Sequence, residues 1–108
     1  MAYIAQHKHA RISAQKVRPI ADLIRGKRID DALATLKYLP NRGARMLEKV
    51  VASAAANAVD RGAPNKAGLR VVEVRIDGGP MFKRVRPRAR GMAHIIKKRF
   101  SHITVSVE

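Results

Sequence analysis

An α+β fold, with three helices packed on a small antiparallel sheet and a long protruding β-hairpin, is what this 108-residue sequence predicts. Three patterns carry the expectation. Apolar residues recur at spacings of three and four from the stretch after Ser13 to about residue 61, as on the buried faces of amphipathic helices. LRVVEVRID (69–77) and SHITVSV (101–107) alternate apolar with polar residues, the period of a half-buried strand. Residues 78–100, which join those two segments, also alternate, contain no acid and carry Gly91 near their middle, so they read as an overlong hairpin rather than a tight turn.

Taken in order, residues 2–9 read as a first strand ending in the basic run HKHAR. Ser13 stands where an N-cap belongs, and Val17, Ile20, Ala21 and Ile24 follow at helical spacing until Gly26 offers a stop. Pro19 lies inside this pattern: it either removes an intrahelical bond and kinks the helix, or regular helix begins only at Arg18 to Pro19. Asp30 reads as the cap of a short second helix, DDALATLKYL, whose Leu33, Leu36 and either Tyr38 or Leu39 can face a core before Pro40 ends it. Asn41 then caps the longest helix, about residues 42–61, with Leu47, Val50, Val51, Ala54 and Ala58 on one side and Gly62 as C-cap. Its ASAAANA run is low in volume, which lets another element approach closely.

GAPNKAG (62–68) reads as a loop. In the strand that follows, Val72, Val74 and Ile76 share one face and Val71, Glu73 and Arg75 the other. In the last strand Ile103, Val105 and Val107 lie opposite His102, Thr104 and Ser106. The two strands are expected to pair antiparallel and cover the helices with their apolar sides. At this length the whole chain, 1–108, is expected to be one domain, with the hairpin at about 78–100. Ten residues per arm at roughly 3.3 Å each would carry the hairpin about 30 Å from the body. A bare two-stranded ribbon is marginal in water, so this one is expected to order against a polyanion.

Charge points to the partner. The chain holds 23 Lys and Arg against 8 Asp and Glu, a formal net charge of +15, which favours nucleic acid or an acidic membrane. Residues 1–28 carry seven bases and one acid, residues 29–77 eight and six, and residues 78–108 eight and one, so a balanced middle presents two cationic flanks. The sharpest feature is RVRPRARG (84–91), which sets Arg84, Arg86, Arg88 and Arg90 on one edge of an extended strand, with Val85, Pro87 and Ala89 between them. A solubilising face is the plain alternative. Planar, bidentate guanidiniums on an acid-free hairpin suit phosphate better than solvation. The second flank, HKHARISAQKVR, gathers Lys8, His9, Arg11, Lys16 and Arg18 around a strand end and a helix start, whose free amides also favour phosphate. Only Tyr3, Tyr38, Phe82 and Phe100 are aromatic, so recognition by shape and phosphate is expected over an aromatic base-reading platform.

Other chemistry is disfavoured. His7 and His9 have neither cysteine nor carboxylate at metal-site spacing, so no metal and no cofactor is expected. Ser101 and His102 are neighbours on a strand and point to opposite faces, which defeats a nucleophile and base pair. Catalysis is therefore not expected. No apolar run approaches a membrane span, cysteine is absent, and MAYIAQHKHA lacks the apolar region of a secretory signal, so a soluble intracellular protein is expected.

These residues together resemble the bacterial large-subunit ribosomal protein twenty-two family, over nearly the whole chain. The resemblance rests on ARISAQKVR and ADLIRGK (10–18 and 21–27), SAAANA (53–58), DGGP and KRVRPRARG (77–80 and 83–91), and SHITV (101–105). It implies a structural protein of the cytoplasmic ribosome that binds large-subunit rRNA, supports subunit assembly and lines the nascent-peptide exit tunnel with its hairpin. Carried over by position, the rRNA contacts would be Lys8, His9, Arg11, Ser13, Lys16, Arg18, Arg25 and Lys27 in the body. The ribbon would add Lys83, Arg84, Arg86, Arg88 and Arg90, with Lys97, Lys98 and Arg99 on its returning arm. The tip facing the tunnel would be Arg88, Ala89, Arg90, Gly91, Met92 and Ala93. Partners would be rRNA, neighbouring large-subunit proteins and the nascent peptide, with no membrane and no homo-oligomer.

The chain departs from the family at the tip: members commonly carry an Arg, an Ala and an acid after the glycine, where this chain reads Met92, Ala93 and His94. Pro19 also replaces the usual aliphatic residue. Two rival readings are a DNA-architectural protein with basic ribbons and a cationic membrane-active ribbon. The first wants its proline at the tip, yet Pro87 lies before the turn. The second wants a richer apolar face than Val85, Pro87 and Ala89 provide.

Overall fold

The computed structural model describes residues 2–63 and 68–108; residues 64–67 of the predicted GAPNKAG loop lie outside the described residues. Strand β1 (Tyr3–Ala10) leads into helices α1 (Ala14–Ile24), α2 (Ile29–Tyr38) and α3 (Arg42–Asp60), followed by strands β2 (Val71–Pro87) and β3 (Ala93–Val107). The strands form one antiparallel sheet in the order β1-β3-β2, so the C-terminal strand is central. This is the expected α+β architecture, with three helices, a small sheet and a hairpin that projects from it.

The helices bury the residues their spacing picks out. Val17, Ile20, Ala21 and Ile24 of α1, Leu36 of α2, and Leu47, Val50, Val51, Ala54 and Ala58 of α3 are all buried, together with Ile103, Val105 and Val107 of β3. The alternatives at the end of α2 resolve toward Leu39, which packs on the core, whereas Tyr38 is 89% exposed. Small residues on α3 let β1 come close enough for the Asn57 amide to donate to the Ile4 carbonyl at 3.0 Å.

Caps differ from expectation. Helix α2 begins earlier than predicted, with Arg28 as its N-cap, so Asp30 is not the cap. It sits with Asp31 in the first turn, where both favour the helix through its dipole rather than through a capping hydrogen bond. Ser13 and Asn41 do occupy N-cap positions, but neither side chain makes a capping bond. At the end of α3 the C-cap is Arg61, one residue before Gly62. Gly62, at φ 79°, is the residue beyond the cap; its N–H reaches the Val59 carbonyl at 3.0 Å and that of Ala63 reaches Ala58 at 3.0 Å, which closes a Schellman motif. Pro19 neither breaks nor starts α1, which runs continuously through it.

The strand pairing Val74↔Val105, Arg75↔Thr104 and Ile76↔Ile103 is the antiparallel pair the alternation predicts. The face assignment at its start is corrected. Register slips between Val71 and Glu73, so Val72 is an extra residue; Val71 turns inward and is buried, while Val72 is half exposed. A second irregularity lies between Gly78 and Met81, where Gly79 and Pro80 interrupt the ladder. Proline cannot donate to a ladder, so a bulge is where a strand can accept it.

Beyond that bulge the two arms continue with nearly every residue exposed. Pairing runs from Met81↔Arg99 to Pro87↔Ala93, and the chain reverses through Ala89–Gly91. The molecule measures 65 × 24 × 16 Å with a radius of gyration of 16.9 Å, against about 13 Å for a compact chain of this length. The ribbon accounts for the difference.

Candidate nucleic-acid interface

Cross-strand partners share a face, so the register sorts the ribbon's side chains. Arg84 stands opposite Ile96 and Arg86 opposite His94, whereas Lys83 is paired with Lys97 and Val85 with Ile95 on the other face. Arg84 and Arg86 therefore share one face, as the alternation predicts. The single row of four does not continue through the tip. Arg90 takes a left-handed conformation (φ 62°, ψ 32°) within the turn, because the chain must reverse there, and Gly91 follows at φ 70°. The Arg88 N–H closes the tip by donating to the Met92 carbonyl at 2.6 Å.

The body's cations divide by what they already hold. Arg18 donates to the Ile76 carbonyl at 3.2 Å, and Arg25 donates to the Val74 carbonyl at 2.9 Å and to Asp22 at 2.5 Å. Both carbonyls belong to β2, an edge strand whose open side would otherwise meet water, so these arginines dock α1 along that edge. Lys27 reaches the Thr35 hydroxyl at 3.2 Å. His9 lies in the β1 bulge at φ 59°; its N–H donates to His102 Nδ1 at 3.1 Å and its ring stands edge-on to His102 at 4.9 Å. Lys8 is exposed beside it.

A different set converges. The first turns of α1 and α3 face the root of the ribbon across an open groove of about 1310 Å³. Arg11, Lys16, Arg42, Arg84, Lys97, Lys98 and Arg99 line it, along with Ser13 and Asn41, and no acid is among the described residues of its wall. Because neither Ser13 nor Asn41 caps with its side chain, the first-turn amides of both helices add positive potential at this place. Gly43 lets the helices meet here: a Cβ on it would lie 3.2 Å from Ile20 Cδ1 and 3.4 Å from Ile12 Cδ1.

Arg42 and the aromatic floor of this groove are absent from the sequence-based set. Arg42 lies in the charge-balanced middle, and only its place directly after the Asn41 cap hints at its use. Phe82 and Phe100 stand edge to face at 5.3 Å, with the Arg84 guanidinium carbon 5.5 Å from the Phe82 ring centre. Their residues are scattered in sequence, and only the ribbon register brings them together. Among the described residues no group of three or more His, Cys, Asp or Glu could hold a metal ion, and no helix is long and apolar enough to cross a membrane.

A three-helix body on an antiparallel sheet, with an acid-free ribbon and a basic groove at its root, defines a protein that engages a polyanion. The chain belongs to the family described as Ribosomal protein L22p/L17e, which matches residues 5–108. It is similar to the Large ribosomal subunit protein uL22 of Rhodopirellula baltica (strain DSM 10527 / NCIMB 13988 / SH1), at 61% identity in a match that covers 95% of this chain and 91% of the relative. The family is one of ribosomal proteins, not of enzymes.

Proposed function

We propose that this chain is a structural constituent of the large ribosomal subunit in the cytoplasm, that it binds large-subunit rRNA, and that its ribbon lines the nascent-peptide exit tunnel. The observation that carries the reading is the acid-free convergence of α1, α3 and the ribbon root in a chain of net charge +15 that belongs to this family. Arg11, Ser13 and Lys16 contact rRNA from the groove, with Lys97, Lys98 and Arg99, while Lys83, Arg84, Arg86, Arg88 and Arg90 contact it along the ribbon. Arg18, Arg25 and Lys27 serve both the fold and the RNA: each guanidinium has five N–H donors, of which the β2 carbonyls and Asp22 occupy only part, and the Lys27 ammonium has three, of which Thr35 takes one. Lys8 and His9 extend the contact along β1. The tip from Arg88 to Ala93 faces the tunnel and the nascent peptide, and Met92 and His94 give it a surface without the family's usual acid. Neighbouring large-subunit proteins complete its surroundings.

Binding of this kind releases counterions. Affinity for a transcript of the large-subunit rRNA is expected to fall by about 0.7 to 0.9 log units per contacted phosphate for each log unit of salt. Filter binding of the full chain across a salt series measures the slope; a flat response sinks the electrostatic account.

A further inference from the structure

Phe82 is half exposed on a ribbon that has no core beneath it, and its register partner is a lysine, Lys98. About half of the ring stays in water, so burial rewards it only in part. It is nonetheless held: Phe100 contacts it edge to face at 5.3 Å and the Arg84 guanidinium lies over one face, 5.5 Å from its centre. The wall facing it across the groove is partly apolar, with Ile12, Pro19 and Ile20, while the rim is basic, with Arg11, Lys16 and Arg42. An aromatic surface beside a cationic track is the arrangement that takes unpaired nucleotides, with bases on the ring and phosphates on the rim. A duplex would use only the rim.

We propose that the groove seats an unpaired rRNA nucleotide, its base stacked on Phe82 with the Arg84 guanidinium over the ring's other face and its flanking phosphates held by Arg11, Lys16 and Arg42. The proposal rests on the rRNA reading above and adds to it a base contact that phosphate binding alone does not supply. Phe100 positions the ring and does not touch the base. Pro19 contributes a rigid apolar wall, which makes its place within α1 useful to the site.

The test uses the full chain and a transcript of large-subunit rRNA. Phe82→Leu is expected to weaken binding by about 5- to 150-fold, the range for loss of one base–aromatic stack, and to leave the salt slope unchanged because no phosphate contact is lost. Arg42→Gln is expected to reduce the slope by about 0.7 to 0.9. Since the chain has no tryptophan, Phe82→Trp supplies a single reporter that keeps a stacking surface. Its emission is expected to be quenched on adding the transcript, with affinity close to wild type, while that of Tyr38→Trp stays unchanged. Affinity of Phe82→Leu within about twofold of wild type, or unquenched Phe82→Trp emission at saturation, overturns the stacking proposal while leaving phosphate binding intact. A wild-type chain that shows no salt-dependent binding to the transcript overturns the rRNA reading itself.

Discussion

Arg18, in the second basic flank, and Arg25, through the family resemblance, are expected to contact rRNA, and the structure gives both of them carbonyls on β2. Nothing in the local sequence could show this, because the partner carbonyls lie 58 and 49 residues away. Their removal should therefore be felt by the fold. Arg25→Ala is expected to destabilise the free chain by about 1 kcal/mol, since its bonds are only partly buried, and to lower the Tm by about 4–8 °C in a thermal melt. The tip arginines are the contrast: Arg88 and Arg90 are exposed at the end of the ribbon. The double variant Arg88→Ala, Arg90→Ala is expected to change stability by no more than about 0.5 kcal/mol. A Tm several degrees lower than wild type would show that the tip packs on the body. The Asp30 cap fails at this same scale: a carboxylate beside a helix start satisfies the sequence signal equally well in the first turn, where Asp30 and Asp31 are found.

Periodicity made the elements legible wherever one face meets the core. The buried positions of α1 and α3, and the pairing of β2 with β3, follow directly from spacings of 3.6 and 2. Bulges were not legible, because an extra residue leaves the composition of a strand unchanged while moving every later side chain to the other face. Val72 is the case in point. The bulge at the ribbon root has a physical signature that can be tested: a Cβ on Gly79 would stand 3.1 Å from the Phe100 carbonyl oxygen and 3.2 Å from its carbon, both backbone atoms, whereas Gly78 has open space. Gly79→Ala is therefore expected to destabilise the chain by about 1–3 kcal/mol, with Gly78→Ala within about 0.5 kcal/mol of wild type. Equal melting of the two variants would remove the steric role given to Gly79. The ribbon beyond this point is exposed along nearly all of both arms, so its amides should exchange with solvent far faster than those of the β3 segment from Ile103 to Val107.

Across the whole molecule, charge announced a polyanion partner and the motifs pointed to the family, but the groove was hidden. It is assembled from residues 11–20, 41–43, 82–84 and 97–100, four segments that meet only through the packing of α1, α3 and the ribbon root. Arg42 could not be singled out in a balanced stretch, and two of only four aromatics gained a use by being placed together. The departures at Met92 and His94 lie at the tip and leave this groove untouched. The central claim is that this basic surface holds the chain on the large ribosomal subunit. Sedimentation of a tagged full-length chain through a high-salt sucrose gradient of cell lysate, after digestion of DNA, tests it most directly. The account predicts co-migration with the large subunit and loss of that position after digestion of RNA; recovery at the top of the gradient, or only with undigested DNA, would contradict it.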